Sequence, residues 1–375
     1  MDALTTPLPK AWQKVRLGDI GKPCMCKRVM KHQTTRYGEI PFYKIGTFGN
    51  TADAFISKKL FLEYKTKYSF PKKGDILISA SGTIGRAVIY DGKPAYFQDS
   101  NIVWIDNDET LVKNDFLFYA YSNVKWNTEH TTILRLYNDN FRNTLIPLPP
   151  LNEQIAIANI LSGLDRYLCA LDALILKKEG VKKALSFELL SQRKRLKGFN
   201  QAWQRVRLGD IANYLTSNLS VEQITQQGKI KVYDVNNFIG YTDTTFISDK
   251  PYISIVKDGS VGRVRILPPK TNILSTMGAL IANHRTTTEF LFYLLSNFDF
   301  KNFTSGSIIP HIYFKDYKEK TIFLPPLNEQ IAIANILSDV DSEIISLKNK
   351  KRQFENIKKA LNHDLMSAKI RVLKK

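Results

Sequence analysis

The sequence predicts an α+β protein made of two copies of one α+β unit, separated by a long antiparallel two-helix coiled coil. The first observation is a repeat, because the 15 residues Leu148–Ser162 return letter for letter at 324–338. The second is that each copy follows a variable segment in which strand-like runs mix with a helix-like run. The third is that apolar residues recur every three or four positions after each copy, as in a coiled coil.

Length and charge limit the class of protein. The chain has 375 residues, of which 43% are hydrophobic, so it is long enough for two or three domains with cores of their own. Its 54 lysines and arginines against 35 acidic residues give a net charge of +19, which favours a polyanionic partner. Nucleic acid is the first candidate and an anionic membrane surface the second. No apolar run approaches the roughly 20 residues of a membrane span, and the N-terminus lacks a signal-peptide pattern, so we expect a cytoplasmic protein.

Cysteines and histidines give no sign of a metal site. Cys24 and Cys26 are separated by one residue, where zinc ligands usually have two to four between them, and Cys169 stands alone. The five histidines are scattered, with no paired ligand spacing. We therefore expect no metal, no disulfide and no cofactor on this chain.

Each copy opens with a tryptophan box. Residues 11–20 read AWQKVRLGDI and residues 202–211 read AWQRVRLGDI, with a single lysine-to-arginine difference. The apolar residues of the box stand among polar neighbours. The pattern predicts a short entry segment that packs Trp12 on its domain and leads into a turn at Gly18.

A glycine-containing hairpin follows in each copy. Residues 74–90 predict two β-branched strands joined by a turn at 81–85, and residues 252–266 predict its counterpart. The turns share a Gly-x-x-Gly-Arg sequence, at 82–86 and 259–263. Neither turn extends to a phosphate-binding GxxxxGK[ST] or GxGxxG motif, so the glycines serve backbone shape. The polar side chains of the hairpin could instead face DNA.

A third match is rich in large apolar residues. Residues 116–123 read FLFYAYSN and residues 290–297 read FLFYLLSN, each after an acidic residue. An acidic start followed by crowded apolar side chains predicts a buried helix. The alternative is an aromatic platform on which bases stack.

The matched segments occur in the same order in both copies. The number of residues that separates a segment from its counterpart varies along the copies and is constant at 176 from the repeated block onwards. We therefore expect two domains that share one fold and present different surfaces. The predicted boundaries are 1–150 for the first domain, 151–198 for the first helix, 199–326 for the second domain and 327–375 for the second helix.

The two long helices are predicted from their seams. At about 1.5 Å per residue, roughly 45 residues make a helix about 65 to 70 Å long, too long to be buried on one domain. We expect the helices to pair antiparallel, with the domains at opposite ends related by a pseudo-two-fold axis. The seams, apolar at both ends with lysine in the middle, comprise Leu161, Leu164, Leu168, Leu171, Ile175, Lys178, Lys182, Leu185, Leu189, Gln192 and Leu196, and Leu337, Val340, Ile344, Leu347, Lys351, Phe354, Lys358, Leu361, Leu365, Ala368 and Val372.

In these motifs the chain resembles the specificity (S) subunit, or HsdS, of type I restriction-modification enzymes. The resemblance rests on two variable segments, each opened by the tryptophan box and closed by a Pro-Pro-Leu-x-Glu-Gln helix start, and it covers essentially the whole chain. It implies that each domain is a target recognition domain for one half of a bipartite double-stranded DNA sequence. It further implies that the helices serve as spacer and docking surface.

The resemblance also implies partners. In the family, adenine methylation is carried out by separate methyltransferase (M) subunits, here expected to be two, and cleavage by restriction (R) subunits. S-adenosylmethionine, ATP and Mg²⁺ are expected on those partners, and this chain is expected to be non-catalytic. The sequence has neither an Asn/Asp-Pro-Pro-Tyr methyltransferase motif nor a Walker lysine. A coiled-coil scaffold or membrane-surface protein is the alternative, but this function does not explain why the two domains would share a fold and differ in sequence.

Residues that contact DNA are predicted by type and by position on loops. Arginine, lysine, amide and hydroxyl side chains read base edges, while lysine, arginine and backbone amides contact phosphates. The candidates of the first domain are Lys44, Ser79, Ser81, Thr83, Arg86, Gln98, Asn101, Arg135, Asn140 and Arg142. Those of the second domain are Lys257, Ser260, Arg263, Arg265, Thr276, Ser307, His311 and Lys315.

Overall fold

The computed structural model of this chain describes residues 9–130 and 134–372. They form two compact units. The first unit combines the chain up to residue 171 with the residues from 350 onwards, and the second unit spans 172–349. Each unit therefore contains one of the predicted domains together with a part of both long helices.

The elements of the first unit, in chain order, are β1 (Gln13–Arg16), α1 (Leu17–Ile20), β2 (Gly21–Met25), β3 (Ile40–Tyr43), β4 (Phe55–Ile56), α2 (Lys58–Lys67), β5 (Ile76–Ser79), β6 (Ala87–Ile89), β7 (Tyr96–Phe97), β8 (Ile102–Asn107), α3 (Asn114–Tyr121), β9 (Glu129–His130), β10 (Leu134–Arg135), α4 (Asn138–Asn143) and β11 (Leu145–Leu148). The long helix α5 (Leu151–Leu190) begins in this unit and ends in the second.

The second unit continues with β12 (Gln204–Arg207), β13 (Ala212–Thr216), β14 (Ile230–Tyr233), β15 (Phe238–Thr242), β16 (Tyr252–Val256), β17 (Val264–Leu267), β18 (Asn272–Ile273), β19 (Met277–Ala282), α6 (Thr288–Ser296), β20 (Thr304–Ser305), β21 (His311–Ile312), α7 (Phe314–Tyr317) and β22 (Thr321–Leu324). The long helix α8 (Leu327–Met366) begins in this unit and ends in the first.

The two units have the same sheet topology. A four-stranded antiparallel sheet has the order β2-β8-β5-β6 in the first unit and β13-β19-β16-β17 in the second. A three-stranded sheet has the orders β4-β3-β7 and β15-β14-β18. The tryptophan box forms β1 and β12, which pair with the strands that lead into the repeated block, β11 and β22. This agreement confirms two copies of one α+β fold.

Side-chain alternation along the central strands separates two cores. On β8, Val103 and Ile105 face a core that includes α3 and the long helices, while Ile102 and Trp104 face a second core with the three-stranded sheet. Successive residues of a strand point to opposite faces, so a strand buried on both sides is apolar throughout. This explains the continuous apolar run of Ile102 to Ile105.

The hairpin and the buried helix are confirmed in both units. Strands β5 and β6 pair antiparallel, as do β16 and β17, and each pair is joined by a Gly-x-x-Gly turn. The aromatic-rich segments form α3 and α6, whose large side chains are buried. They are core residues, so the alternative of an exposed stacking platform is wrong for these helices.

Within each unit the long helices pack against each other antiparallel. In the first unit Lys358 forms an ion pair with Asp165, and the rings of Tyr167 and Phe354 lie 4.8 Å apart. In the second unit Lys182 reaches Asp341 at 2.6 Å and Lys178 reaches Glu343 at 2.7 Å. In both units, a later residue of α5 contacts an earlier residue of α8, which confirms the predicted antiparallel pairing.

The helices are shorter than predicted. The predicted helix segments extend to residues 198 and 375, whereas α5 ends at Leu190 and α8 at Met366. Each helix ends close to a residue in the left-handed conformation, Gln192 with φ 63° and Ala368 with φ 56°. Residues beyond the helix ends are not helical, and these include four predicted seam positions, Gln192, Leu196, Ala368 and Val372.

Candidate nucleic-acid interface

The Gly-x-x-Gly turns need glycine for two different reasons. All four glycines have positive φ, which other residues adopt only with strain. Gly85 also lies against Trp126, and a Cβ added there would come within 2.1 Å of the indole nitrogen. Gly262 lies against Phe300 in the same way, with a nearest approach of 2.6 Å. The second glycine therefore lets the turn rest on an aromatic side chain, while the first faces open space.

The arginine after each turn fastens a neighbouring loop. Arg86 donates from Nη1 to the carbonyl oxygen of Phe48 at 2.8 Å, and Arg263 donates from Nη2 to Oδ1 of Asn236 at 2.8 Å. Both arginines remain exposed. Each guanidinium can therefore hold its loop with one N–H group and offer others to a phosphate.

Two further candidates lie in or against the loop held by Arg86. Gln98 accepts a hydrogen bond from the backbone N–H of Ile45 at 2.9 Å, and Lys44 forms an ion pair with Asp53 at 2.8 Å. Both side chains are half-buried. The structure thus brings Lys44, Gln98 and Arg86 to one loop.

A second segment is joined to each turn by backbone hydrogen bonds. In the first unit Leu136 donates to the carbonyl oxygen of Ala80, and in the second unit Ile312 donates to that of Lys257, both at 2.9 Å. The structure therefore places Arg135 beside Ser81 and His311 beside Asp258. These two residue pairs occupy equivalent positions and differ in chemistry.

The predicted residues differ in exposure. Those on the surface are Thr83, Arg86, Arg135, Arg142, Ser260, Arg263, Thr276, Ser307 and Lys315. Those half-buried are Lys44, Gln98, Asn101, Asn140, Lys257, Arg265 and His311. The two that are buried are Ser79 and Ser81.

The buried serines have structural partners. Ser79 is 2% exposed, and its hydroxyl accepts from the backbone N–H of Arg86 at 2.9 Å and donates to the carbonyl oxygen of Thr83. The hydroxyl of Ser81 donates to Oδ1 of Asn101 at 2.7 Å. These hydroxyls hold the turn together, so neither serine lies on the surface as a base-reading side chain would.

The other candidates fall into two groups. In the second unit Lys257 donates its backbone N–H to the carbonyl oxygen of Thr276 at 3.1 Å, which places Thr276 beside the turn. Arg265 instead packs over the ring of Tyr233 and donates to the carbonyl oxygen of Asn236. Asn140 and Arg142 lie on α4, apart from the hairpin turn, with Arg142 against Gly18.

Two exposed tyrosines were missed from sequence. Tyr137 and Tyr313 immediately precede α4 and α7 and are both exposed. They are 176 residues apart, the spacing of the repeated block, so their register could have identified them. Two exposed isoleucines, Ile308 and Ile309, were also missed, because composition alone gives no reason to place them on a surface.

Residues of the repeated block attach each domain to the long helices. Glu153, which is 2% exposed, accepts from Trp12 Nε1 at 3.0 Å and pairs with Arg371 through two hydrogen bonds of 2.6 and 2.9 Å. We call these three residues, and their counterparts in the second unit, the Trp-Glu-Arg cluster. An arginine and a carboxylate in this two-bond geometry form one of the stronger polar contacts in proteins.

The second unit repeats the cluster. Glu329 accepts from Trp203 Nε1 at 3.0 Å and pairs with Arg195 at 3.2 and 2.6 Å. Arg195 and Arg371 are 176 residues apart, and each follows the end of a long helix. The cluster therefore joins the tryptophan box, one helix start and the segment after the other helix within each unit.

The glutamine beside each of these glutamates anchors α3 or α6. Gln154 accepts from the backbone N–H of Lys113 at 2.8 Å and donates to the carbonyl oxygen of Leu111 at 3.1 Å. Gln330 makes the equivalent bonds to Thr287 and Arg285, at 3.2 and 2.9 Å. These partners are backbone groups, so the anchor does not depend on which side chains the variable segment carries.

The lysines of the seams have a structural role. Lys358 pairs with Asp165, which accepts from the hydroxyl of Tyr119 on α3 at 2.7 Å. Burial, and then the hydrogen bond to this carboxylate, raises the pKa of Tyr119. The second unit has the same arrangement with Lys182 and Asp341, and Tyr293 takes the place of Tyr119.

The part of the chain that the structure describes holds no group of three or more histidine, cysteine, aspartate or glutamate side chains placed to bind a metal ion. Among these same residues, no helix combines the length and the apolar character that crossing a membrane requires.

Comparison with known proteins identifies the family. Residues 9–178 and 200–356, most of the chain, match the family described as type I restriction modification DNA specificity domain. A protein of Haemophilus influenzae that bears the name of a type I restriction enzyme specificity subunit is 64% identical over 152 residues, which is 40% of either chain. A protein of Methanocaldococcus jannaschii named as the MjaX specificity subunit is 26% identical over 97% of this chain and 95% of its own.

The fold agrees with a solved structure. The S subunit of a type I restriction-modification system from M. genitalium superimposes with a TM-score of 0.64 at 20% identity, over 97% of this chain and 98% of the other. The sequence match and the duplicated α+β units with their antiparallel helices lead to one conclusion. The chain belongs to the family of type I restriction-modification DNA specificity subunits and carries two specificity domains.

Proposed function

We propose that this chain directs a type I restriction-modification complex to a bipartite DNA sequence, each unit reading one half. One observation carries this proposal: residues that anchor each unit to the helix starts are identical between the units, while several exposed positions at and beside the shared turn differ. Trp12, Glu153 and Gln154 have identical counterparts. By contrast, Thr83 is replaced by Ser260 and Arg135 by His311. A common scaffold with different exposed side chains suits two readers with different targets.

The charge of the chain supports duplex DNA as the ligand. A net charge of +19 attracts a polyanion over long range, and the exposed arginines of both turns provide phosphate-binding groups. We infer that the nine surface candidates and the half-buried Lys44, Lys257 and His311 contact DNA. In this proposal Ser79 and Ser81 support the turn from inside.

Partner proteins are inferred from exposed apolar residues that the fold of this chain does not require. Leu151 and Ile155 at the start of α5 are exposed, and so are the identical Leu327 and Ile331 at the start of α8. Exposed positions usually drift, yet here large apolar residues are the same in both units. Two copies of one partner protein, each packing on one helix start, would account for this, as expected of two methyltransferase subunits.

The proposal assigns chemistry to those partners. This chain would select the DNA site without breaking or forming covalent bonds, in the cytoplasm where its DNA substrate lies. S-adenosylmethionine would bind the methyltransferase subunits, and ATP and Mg²⁺ would serve the restriction subunits. Adenine would be the methylated base.

The arginines of the turns test the DNA-binding role. Arg86→Ala and Arg263→Ala should each weaken binding to all duplex sequences alike and reduce the slope of log K against log salt by about one, because each removes one phosphate contact. The two turns are shared by domains that otherwise differ, so we expect neither arginine to select a base. The measurement is fluorescence anisotropy of labelled duplexes over a salt series.

Two comparisons make this test specific. Lys194→Ala, at an exposed residue outside both turns, is the control and should change the affinity and the salt slope less than either arginine variant. A base-reading arginine would instead relax specificity in one half-site and cost about 1 to 3 kcal/mol there. If neither arginine variant changes binding, the turns do not face DNA.

A further inference from the structure

The tip between β20 and β21 exposes two large apolar side chains. Residues 306–310 form this tip, which we call the isoleucine tip, and its Ile308 is 92% exposed and its Ile309 55% exposed. Among residues 9–128 and 135–372, whose exposure the structure describes, no other large apolar residue is as exposed as Ile308. Such exposure leaves apolar area in water, so the fold itself gives no reason for these two residues.

The isoleucine tip has a defined shape. Gly306 has φ 91°, and a Cβ there would come within 2.3 Å of the carbonyl oxygen of Ile309. At the other end, the carbonyl oxygen of Pro310 accepts from the backbone N–H of Gly259 at 2.9 Å. The tip is therefore fastened to the Gly-x-x-Gly turn, and its isoleucines project from a supported hairpin.

The surroundings of the tip favour a polyanion over an apolar protein surface. The exposed cations Arg263 and Lys315 lie on the turn and on α7, the two segments adjoining the tip. The nearby carboxylate of Asp258 already contacts His311 at 2.7 Å and Lys257 at 3.4 Å. A small apolar centre beside cations and exposed hydroxyl groups matches DNA, in which stacked bases lie between two charged backbones.

We propose that Ile308 and Ile309 form a wedge that enters the minor groove and partly unstacks one base step, so that the second unit bends its DNA. Apolar side chains inserted in this way kink duplexes by about 20 to 90°. This inference rests on the proposed DNA-binding function and adds a deformation step to it. In the first unit the aligned residues 131–133 read Thr-Thr-Ile and lie outside the described residues, so the wedge is assigned to the second unit alone.

The test measures DNA bending by the full-length chain. A duplex of about 20 base pairs carries a donor and an acceptor dye at its two ends, and energy transfer rises when a kink brings the ends together. At saturating protein, judged by anisotropy, the unmodified chain should raise energy transfer. The double variant Ile308→Ser/Ile309→Ser should bind the duplex without that rise.

Matched variants separate the wedge from other roles. Ile345→Ser, at a residue of α8 that is 59% exposed in the same unit, should bend DNA like the unmodified chain. Ile308→Leu should retain bending because it keeps the apolar side chain. The melting temperature of the double variant should be unchanged, since the removed side chains are exposed and their loss should not unfold the unit.

Two results would overturn the wedge: bound DNA that stays straight with the unmodified chain, and bending that the double variant preserves. If the double variant bends DNA normally and also no longer assembles with a methyltransferase subunit, the isoleucine tip is a protein-docking site. If the chain binds no duplex at any salt concentration, the proposed function itself fails, and anisotropy shows this before bending is measured.

Discussion

Replacing Arg195 with alanine should destabilise the second unit by about 3 to 5 kcal/mol, because it leaves a buried carboxylate without its cation. Glu329 is 0% exposed, and after the substitution its carboxylate would keep the hydrogen bond from the indole N–H of Trp203 but not its cation. The lost partner made two hydrogen bonds to the carboxylate. The free energy of unfolding should therefore fall far more than for an ordinary surface ion pair.

Hydrogen exchange read by mass spectrometry measures this locally. Peptides of the second unit should lose protection in Arg195→Ala, while those around Trp12 and Glu153 should keep it. Lys194→Ala is the matched control, because its ion pair with Glu188 is exposed and should contribute at most about 1 kcal/mol. Adding Glu329→Gln to Arg195→Ala should recover part of the loss by removing the uncompensated charge. Equal effects of Arg195→Ala and Lys194→Ala would show that the cluster does not hold the unit.

Exchanging residues 22–147 for the matching segment of a relative should change one half of the recognised DNA sequence and leave the other intact. The exchanged segment includes the hairpin turn, the loop that Arg86 holds and Arg135. The residues that hold it in place stay outside, namely Trp12, Glu153 and Gln154. Since Gln154 bonds to backbone groups at 111 and 113, a foreign segment with the same fold can meet it without matching side chains.

The readout is the sequence motif methylated in cells that contain the exchanged chain and a methyltransferase subunit. The matching control exchanges the second segment, between the tryptophan box at 202–211 and the repeated block at 324, and should change the other half. A motif altered in both halves, or in neither, would mean that the two units do not read DNA independently.

Much of the fold could be predicted from local sequence patterns. β-Branched residues on either side of a glycine-containing turn predict β5 and β6, and an acidic residue followed by crowded apolar side chains predicts α3. Apolar residues three and four positions apart predict the seams of α5 and α8. The ends of the long helices could not be predicted in this way. The left-handed residue after α5 is Gln192, a residue type that gives no helix stop signal.

The candidate site was predicted by residue type, and type does not reveal burial. Ser79 and Ser81 have the chemistry of base-reading residues, yet their hydroxyls hold the turn from inside. The Trp-Glu-Arg cluster could not be predicted from the sequence either, because Glu153 and Arg371 are 218 residues apart. Its glutamates were assigned to helix N-termini, which explains their position but not their burial.

The proposed function requires this chain to select a bipartite DNA site for methylation by separate subunits. Sequencing of N6-methyladenine in cells that express the chain together with a type I methyltransferase subunit tests it most directly. We expect one motif, with two fixed halves separated by a spacer of constant length, methylated only when both proteins are present. Methylation by the chain alone, or a methylated motif that stays the same when the chain is omitted, would contradict it.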